Sequence, residues 1–421
     1  MDRLRERALA LFHRADLLLV ILLLAFAVRF AVSWNEGYGF DIGVYQGWAR
    51  SAVEYGVAES YTKQVGGNML PDYPPLSITI LSVFGHGYKM LFGEFDLSWI
   101  GYRMYIKLPA ILADVLVCAL LYVVLHRLKG KKAGLLAALA YALSPAAIYD
   151  SAIWGQTDSI YALFLMAAVA AWAWKHEEAA AVMLAFAMLT KLQAIVLFPL
   201  FLFLLLPNFR RILRFSVTGI VTTIIVLLPY AFGNVLENIA NVYLGAVGRY
   251  SNVTVGAYNF WWAILADKGW RIESTEAPFG GISYGTTGII LFAVAYAFIL
   301  YIFRKAIRKP GCMEALFYCA SLLCIAFFLF LPQMHERYLF PFVVLGVPLI
   351  FISKQIAAAY WGIVIAFTIN LMGVMPLSAI DKALYREFDT LDVFIASTQV
   401  WLFVFLVIAA YRRYAPKPVP R

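Results

Sequence analysis

The sequence predicts an all-α membrane protein, a polytopic bundle of about 12 transmembrane helices. Of its 421 residues, 63% are hydrophobic and only 14% are charged, whereas soluble domains contain about 25% charged residues. The mean hydropathy is +0.78. Apolar stretches of about 20 residues recur along the chain, which is the length that a helix needs to cross roughly 30 Å of hydrocarbon.

The distribution of basic residues determines the predicted topology. The net charge is +9, and the basic residues cluster in short segments between apolar stretches, as the positive-inside rule describes. We therefore expect residues 1–16 to be cytoplasmic and the first span, about 17–34, to be a retained anchor. Because topology explains the basic residues, we predict no nucleic-acid partner. The four cysteines predict no disulfide framework.

The first outer loop, residues 35–103, is predicted to contain two surface helices, at 41–56 and 76–92. The second of these segments could instead cross the membrane. In that case the basic segment 126–132 would lie outside, against the positive-inside rule. We therefore expect residues 76–92 to lie in the membrane interface.

The later spans alternate in direction across the membrane and keep the basic loops cytoplasmic. They are predicted at about 104–125, 133–149, 158–174, 179–190, 193–206, 212–231, 286–303, 314–331, 338–353, 357–375 and 394–411. We divide the chain into a catalytic module, residues 1–232, and a C-terminal membrane module, residues 233–421. The second module begins with a long outer loop, 233–284. With this topology, the polar clusters that interrupt or adjoin spans all lie on the outer face.

Two carboxylates stand out in the first outer loop. Asp41, in GYGFDIGVY, could be a general base that takes a proton from an incoming hydroxyl, or it could cap the helix that follows. Asp72, in PDYPPL, could be a second catalytic acid or a turn residue ahead of a proline-initiated helix.

The sequence WGQTDS lies between the third and fourth spans. Trp154 could stack on a sugar while Gln156 and Asp158 bind its hydroxyls, or Asp158 could cap a helix and Trp154 could lie at the membrane interface. Lys191 and Gln193 interrupt an apolar stretch. Lys191 could meet a lipid phosphate in a cavity, or its side chain could extend to the interface.

The sequence QMHERY follows a strongly apolar span. Arg337 could bind a phosphate with its planar guanidinium, and His335 could donate a hydrogen bond or a proton to it. The alternative is a local pair of Glu336 with Arg337 at a helix end. The spacing of Cys and His predicts no metal site, although outer carboxylates could bind a divalent ion. The aromatic sequence at 258–262, YNFWW, could be a lipid and sugar platform or an interfacial anchor.

These motifs, in the order Asp41, DYPPL, RxxxKLPxILAD, WGQTDS, KxQ, NFWW and QxHER, resemble those of GT-C glycosyltransferases. The resemblance covers about 37–345 and is greatest to the dolichyl-phosphate-glucose glucosyltransferases of N-glycan assembly and the prokaryotic enzymes related to GPI mannosyltransferase II. It implies that Asp41 is the catalytic base, Asp72 the second acid and His335 a contact of the donor phosphate. Arg337 stands where such enzymes often have Lys.

The resemblance implies a membrane glycosyltransferase with a polyprenyl-phosphate sugar as donor and no required cofactor. We expect transfer of a hexose, mannose in preference to glucose, with inversion at the extracytoplasmic face of a prokaryotic plasma membrane. Lys191 would join the donor phosphate site, and Trp154, Gln156, Asp158, Gln193 and Glu336 the sugar or acceptor site. The acceptor would be a glycolipid, a lipid-linked glycan or a protein. The alternative function is a multi-spanning transporter or lipid flippase, although transporters usually place polar residues near the membrane midplane.

Overall fold

The computed structural model describes residues 2–246, 248–307, 309–377 and 390–415, with side chains from Leu17 onward. Most of this chain is helical, at 76% helix and 2% strand, which confirms the predicted all-α class. The first half contains helices α1 Asp2–Val32, α2 Gly39–Tyr55, α3 Pro75–Phe92, α4 Ile100–Ile106, α5 Leu108–Lys129, α6 Lys131–Ala142, α7 Pro145–Ile148, α8 Asp158–Ala173 and α9 Glu177–Thr190.

The second half continues the bundle. Its helices are α10 Phe198–Leu205, α11 Phe209–Leu227, α12 Leu236–Leu244, α13 Phe260–Leu265, α14 Tyr284–Ala306, α15 Cys312–Phe330, α16 Phe340–Leu345, α17 Lys354–Val374 and α18 Leu391–Tyr414. Two short parallel strands, β1 Thr254–Val255 and β2 Met334–His335, pair with Val255 opposite His335. This pairing connects the long outer loop to residues 335–337, the HER sequence.

Six helical segments of the described chain are long and apolar enough to cross a membrane, and the protein is an integral membrane protein. They are Ile100–Lys129, Phe209–Tyr230, Tyr284–Ala306, Cys312–Phe330, Lys354–Val374 and Leu391–Tyr414. Helix α3 is not one of these six. Helix α6 and the segment Pro145–Trp154 meet this test together, with a bend of 47° between them. Pro145 explains the break, since proline has no N–H and clashes with the preceding turn.

The segment predicted as one span at 338–353 is interrupted. It consists of a 3-10 turn at Glu336–Leu339, helix α16, and a second 3-10 turn at Val347–Phe351. Pro341 and Pro348 each begin one of the short pieces, because proline fits the first turn of a helix but not its interior. Most residues between 339 and 349 are buried, so this segment packs inside the bundle.

The helices enclose two main cores. The larger core runs from Ile21 to Tyr414 and draws on both halves of the chain. The smaller core joins α2, α3 and α4 of the first outer loop to α12, through aromatic side chains that include Trp48, Tyr88 and Tyr102. The first outer loop is therefore a packed unit, and it holds Asp41 and Asp72 against the end of the bundle.

Candidate active site

Asp41 lies in the first turn of α2 and is oriented by the WGQ sequence. Its Oδ2 accepts hydrogen bonds from Nε1 of Trp154, at 2.9 Å, and from Nε2 of Gln156. The residue that precedes α2 is Tyr38, so Asp41 is not its capping residue. Among the described residues, Oδ1 of Asp41 has no hydrogen-bond partner. The carboxylate is therefore held by one oxygen and can accept a proton on the other.

Two tyrosines extend this network. The hydroxyl of Tyr45 donates to Oε1 of Gln156 at 2.9 Å and lies 3.1 Å from the hydroxyl of Tyr73. The Tyr45 hydroxyl has one proton and donates it to Gln156, so Tyr73 must be the donor between the two tyrosines. The chain of hydrogen bonds thus runs from Tyr73 through Tyr45 and Gln156 to Asp41.

Trp154 and Asp158 are both buried and do not face open space in the site. Trp154 is 1% exposed and its ring stacks on Tyr38, with the ring centroids 5.1 Å apart. Asp158 is buried, and its Oδ1 accepts a hydrogen bond from Nζ of Lys191 at 2.6 Å. Lys191 is itself buried, so its side chain does not extend to the interface.

Asp72 forms an ion pair that the sequence did not indicate. Its Oδ2 lies 2.7 Å from Nη1 of Arg249, in the long outer loop. Its Oδ1 is buried and has no hydrogen-bond partner among the described residues. Burial raises the pKa of the Asp72 carboxyl, whereas the charges of Arg249 and Arg337 oppose the rise and Asp41 adds to it. Asp72 therefore shares one electrostatic environment with Asp41 and both arginines.

The HER sequence forms a buried charged cluster. Nη1 of Arg337 donates to Oε1 of Glu336 at 2.7 Å, as the local-pair alternative predicted. Burial opposes ionisation of Glu336, but Arg337 and His335 outweigh it and lower the pKa of its carboxyl to about 2. Within the described chain, Nε of Arg337 and Nε2 of His335 are buried without a hydrogen-bond partner. Arg337 thus keeps a donor available for a ligand.

A cavity of about 470 Å³ opens between the first outer loop, the Lys191 segment and the HER sequence. Its charged wall residues are Asp72, Lys191, Arg249 and Arg337, and Gln193, Tyr73, Tyr250 and Tyr338 also contribute. Ile289 of α14 and Phe327 of α15 supply part of an apolar wall. The cavity therefore combines three cationic side chains with a surface suited to a hydrocarbon chain.

Six predicted residues lie outside this wall, namely Asp41, Trp154, Gln156, Asp158, His335 and Glu336. Two of them, Asp41 and Glu336, are close enough to Tyr38 for their charges to act on its hydroxyl. Burial raises the pKa of its hydroxyl first, and the charges of Asp41 and Glu336 raise it further. The acids of the first outer loop and the HER sequence therefore converge at one end of the bundle.

Sequence reasoning did not identify Arg249, Tyr45 or Tyr73. The two tyrosines adjoin the predicted acids, and their proximity was the available signal, whereas nothing marks Arg249 in its loop. The YNFWW sequence is not a surface platform, because Trp261 and Trp262 are buried. In the ranges that the structure describes, no group of three or more His, Cys, Asp or Glu residues could hold a metal ion.

Comparison with known proteins finds one matching family model and several similar solved structures. The family model of the dolichyl-phosphate-mannose-protein mannosyltransferases matches residues 102–232. No curated protein matches the sequence. Among solved structures, ArnT from Cupriavidus metallidurans bound to undecaprenyl phosphate is similar, with a TM-score of 0.52 and 16% identity. That alignment covers 93% of this chain and 76% of ArnT.

The oligosaccharyltransferase of Archaeoglobus fulgidus, tethered to an acceptor peptide, gives a TM-score of 0.48 at 15% identity. The alignment covers 97% of this chain and 56% of that enzyme. At such identities, the similarity to ArnT establishes the fold and leaves the reaction to be argued from the site.

Proposed function

We propose that this chain, which has the fold of the GT-C superfamily, is an integral membrane glycosyltransferase. It moves a hexose from a polyprenyl-phosphate donor to an acceptor hydroxyl at the extracytoplasmic face. Mannose is the favoured sugar, in line with the mannosyltransferase family model over 102–232, and glucose is the second candidate. The undecaprenyl phosphate bound to ArnT supports a lipid phosphate as the leaving group.

The orientation of Asp41 carries this proposal. Trp154 and Gln156 donate hydrogen bonds to its Oδ2, and these two donors fix the orientation of the carboxylate. The free Oδ1 takes the proton of the acceptor hydroxyl as that oxygen bonds to the anomeric carbon. The bond from the anomeric carbon to the phosphate oxygen breaks in the same step, which inverts the anomeric centre and releases polyprenyl phosphate.

The cationic side chains of the cavity wall suit the departure of the lipid phosphate. Negative charge develops on the phosphate as the sugar leaves, and preorganised cations stabilise such charge. Arg337 has a buried N–H without a partner among the described residues, and Arg249 is half-exposed beside Asp72. Lys191 uses one N–H for Asp158 and keeps two. The residues Ile289 and Phe327 would contact the polyprenyl chain.

The test is transfer by the purified protein from radiolabelled polyprenyl-phosphate mannose or glucose to candidate acceptors. Asp41→Asn should lower the rate by about 10²- to 10⁴-fold, the usual contribution of a general base, while binding of undecaprenyl phosphate persists. Asp267→Asn is the matched control, because Asp267 is exposed in the outer loop and pairs only loosely with Arg271 at 3.7 Å.

Two results would contradict the proposal. One is a folded Asp41→Asn protein with full activity, which would remove Asp41 as the base. The other is flux of the lipid across liposomes without release of sugar-free lipid phosphate, which would indicate the transporter alternative.

A further inference from the structure

Lys107 is a fully buried lysine outside the cavity. It lies at the junction of α4 and α5 and is 0% exposed. Its Nζ donates to four main-chain carbonyls: Ser33 at 3.1 Å, Asn35 at 2.7 Å, Ala152 at 3.0 Å and Ile153 at 3.0 Å. These carbonyls belong to two segments far apart in sequence, 33–35 and 152–153.

Both segments are ends of helices, which explains why a lysine is stable there without a carboxylate. Helix α1 ends at Val32, and a π-helix covers Tyr149–Trp154. The last carbonyls of a helix carry partial negative charge and favour a cation. Lys107 therefore joins the end of the π-helix to the turn that follows α1, through hydrogen bonds from Nζ to four main-chain carbonyls.

Each segment leads directly into the site. Residues 33–35 continue into the turn that begins α2 and carries Asp41, and residues 152–153 precede Trp154 and Gln156. The amide of Tyr38 also donates to the carbonyl of Trp154 at 3.1 Å. Gly155, at φ +92°, packs so closely that an added Cβ would lie 3.2 Å from Cε of Lys107. We call Lys107 and its four carbonyl acceptors the clamp. In sequence, the clamp is thus within a few residues of Asp41 and of both its donors, Trp154 and Gln156.

We infer that Lys107 is a positioning residue, which fixes Asp41 relative to Trp154 and Gln156 by tying together the two main-chain segments that carry them. The consequence for catalysis rests on the proposed function, in which Asp41 is the base. The clamp itself does not rest on it, because the geometry can be tested without any substrate.

The first test is hydrogen exchange of the whole protein in detergent, followed by mass spectrometry. In Lys107→Met, amides in 33–42 and 149–157 should exchange at least about 10-fold faster, since their shared anchor is lost. Amides of α17 and α18 should keep their wild-type rates. Tyr318→Phe is the control, because it removes another buried hydrogen bond to a main-chain carbonyl, that of Leu406 at 2.9 Å, and should leave both segments protected.

Unchanged protection of the two segments in Lys107→Met would overturn the inference. If that variant does not fold, Lys107→Gln keeps two N–H donors and takes its place. Failure of both variants to fold would make Lys107 a general folding residue and would also overturn the inference.

The second test is a double-mutant cycle on sugar transfer. Lys107→Met should lower kcat about 30- to 100-fold with KM nearly unchanged, the scale expected when a reacting group is misplaced by about 1 Å. In a Gln156→Leu background the same change should cost only about 3-fold more, because both act through the position of Asp41. Additive losses would contradict a shared action. If wild-type protein transfers no sugar, the proposed function fails, and hydrogen exchange still decides the role of Lys107.

Discussion

Nε1 of Trp154 lies 2.9 Å from Oδ2 of Asp41, across 113 residues of sequence. The indole cannot turn away, because it is buried and stacked on Tyr38. A fixed neutral donor on a carboxylate orients it and leaves the second oxygen to react. The role that fits Trp154 is therefore to hold Asp41, the proposed base, and the sugar contact predicted for Trp154 would require the ring to leave its buried position.

We expect Trp154→Phe to keep the packed ring and lose the hydrogen bond. Hydrogen bonds to charged groups contribute about 1.5–3 kcal/mol, so kcat should fall roughly 10- to 150-fold at saturating donor. Trp261→Phe removes a comparable buried bond, from Nε1 to the carbonyl of Phe330 at 2.8 Å, and should leave kcat unchanged. Equal kcat values for wild type and Trp154→Phe would show that the bond does not serve the reaction.

His335 should act as a neutral hydrogen-bond donor. Burial lowers the pKa of its imidazole below the ordinary 6.5, and Arg337 adds to the effect, while Glu336 partly opposes it. The ring is therefore uncharged at pH 7, and protonation of the leaving phosphate by an imidazolium is disfavoured. We expect His335→Asn to lower kcat by about 2- to 10-fold, the value of a neutral hydrogen bond, with an unchanged pH profile from pH 7 to 8. A wild-type loss of activity above pH 6.5 that disappears in the variant would contradict this role.

Much of this architecture could be predicted from the sequence. Apolar stretches and basic segments indicated a helical membrane bundle, and the two surface helices of the first outer loop were placed correctly as helices. Asp41 and Asp72 could be singled out because a carboxylate in a polar, aromatic loop beside apolar helices is unusual. The interruption near Pro341 was missed, since hydropathy alone does not distinguish a lipid-facing helix from a buried, broken one.

The partners of the acids could not be predicted. Arg249 and Asp72 are 177 residues apart, and the fold alone brings them to 2.7 Å. Lys107 is a similar case, because it contacts main-chain carbonyls of two remote segments. The pairing of Asp158 with Lys191, at the end of the following helix, also depends on how the two helices pack. Sequence reasoning identified Lys191 as costly in an apolar stretch, and its burial against Asp158 supplies the partner that such a cation requires.

The Glu336–Arg337 pair should make stability depend on pH under acidic conditions. The pKa of Glu336 is about 2 in the folded protein, against an ordinary 4.5, so the unfolded chain binds more protons between these values. The contribution is complete above about pH 4.5 and is lost as the pH falls towards 2. The difference corresponds to about 3 kcal/mol in the free energy of unfolding.

Unfolding in detergent at several pH values checks this expectation. Glu336→Gln should be less stable than wild type at pH 7, and the difference should shrink as the pH falls from 4.5. The raised pKa of Asp72 has the opposite sign, but both proteins retain Asp72, so its effect cancels in the comparison. A constant difference from pH 7 to 3 would show that the charge of Glu336 does not stabilise the fold.

Arg249 should contribute to donor binding as well as to the pairing of Asp72. It lines the cavity with Arg337 and Lys191, and its guanidinium is partly exposed, at 40% of the side chain, so a phosphate can reach it. Arg249→Gln should weaken binding of undecaprenyl phosphate about 10-fold, the loss of one charge-assisted hydrogen bond. The loss should be smaller in high salt, because salt screens exposed charges.

Arg271→Gln removes an arginine of the same outer loop that is exposed and does not line the cavity. Its Kd for undecaprenyl phosphate, measured by thermophoresis at two salt concentrations, should match that of wild type. Binding that tightens in Arg249→Gln would mean that Arg249 blocks the cavity through Asp72 and must leave before the donor enters. In that case Arg249 would hinder donor binding. A 10-fold loss of affinity confined to Arg249→Gln would instead assign the phosphate contact to this side chain.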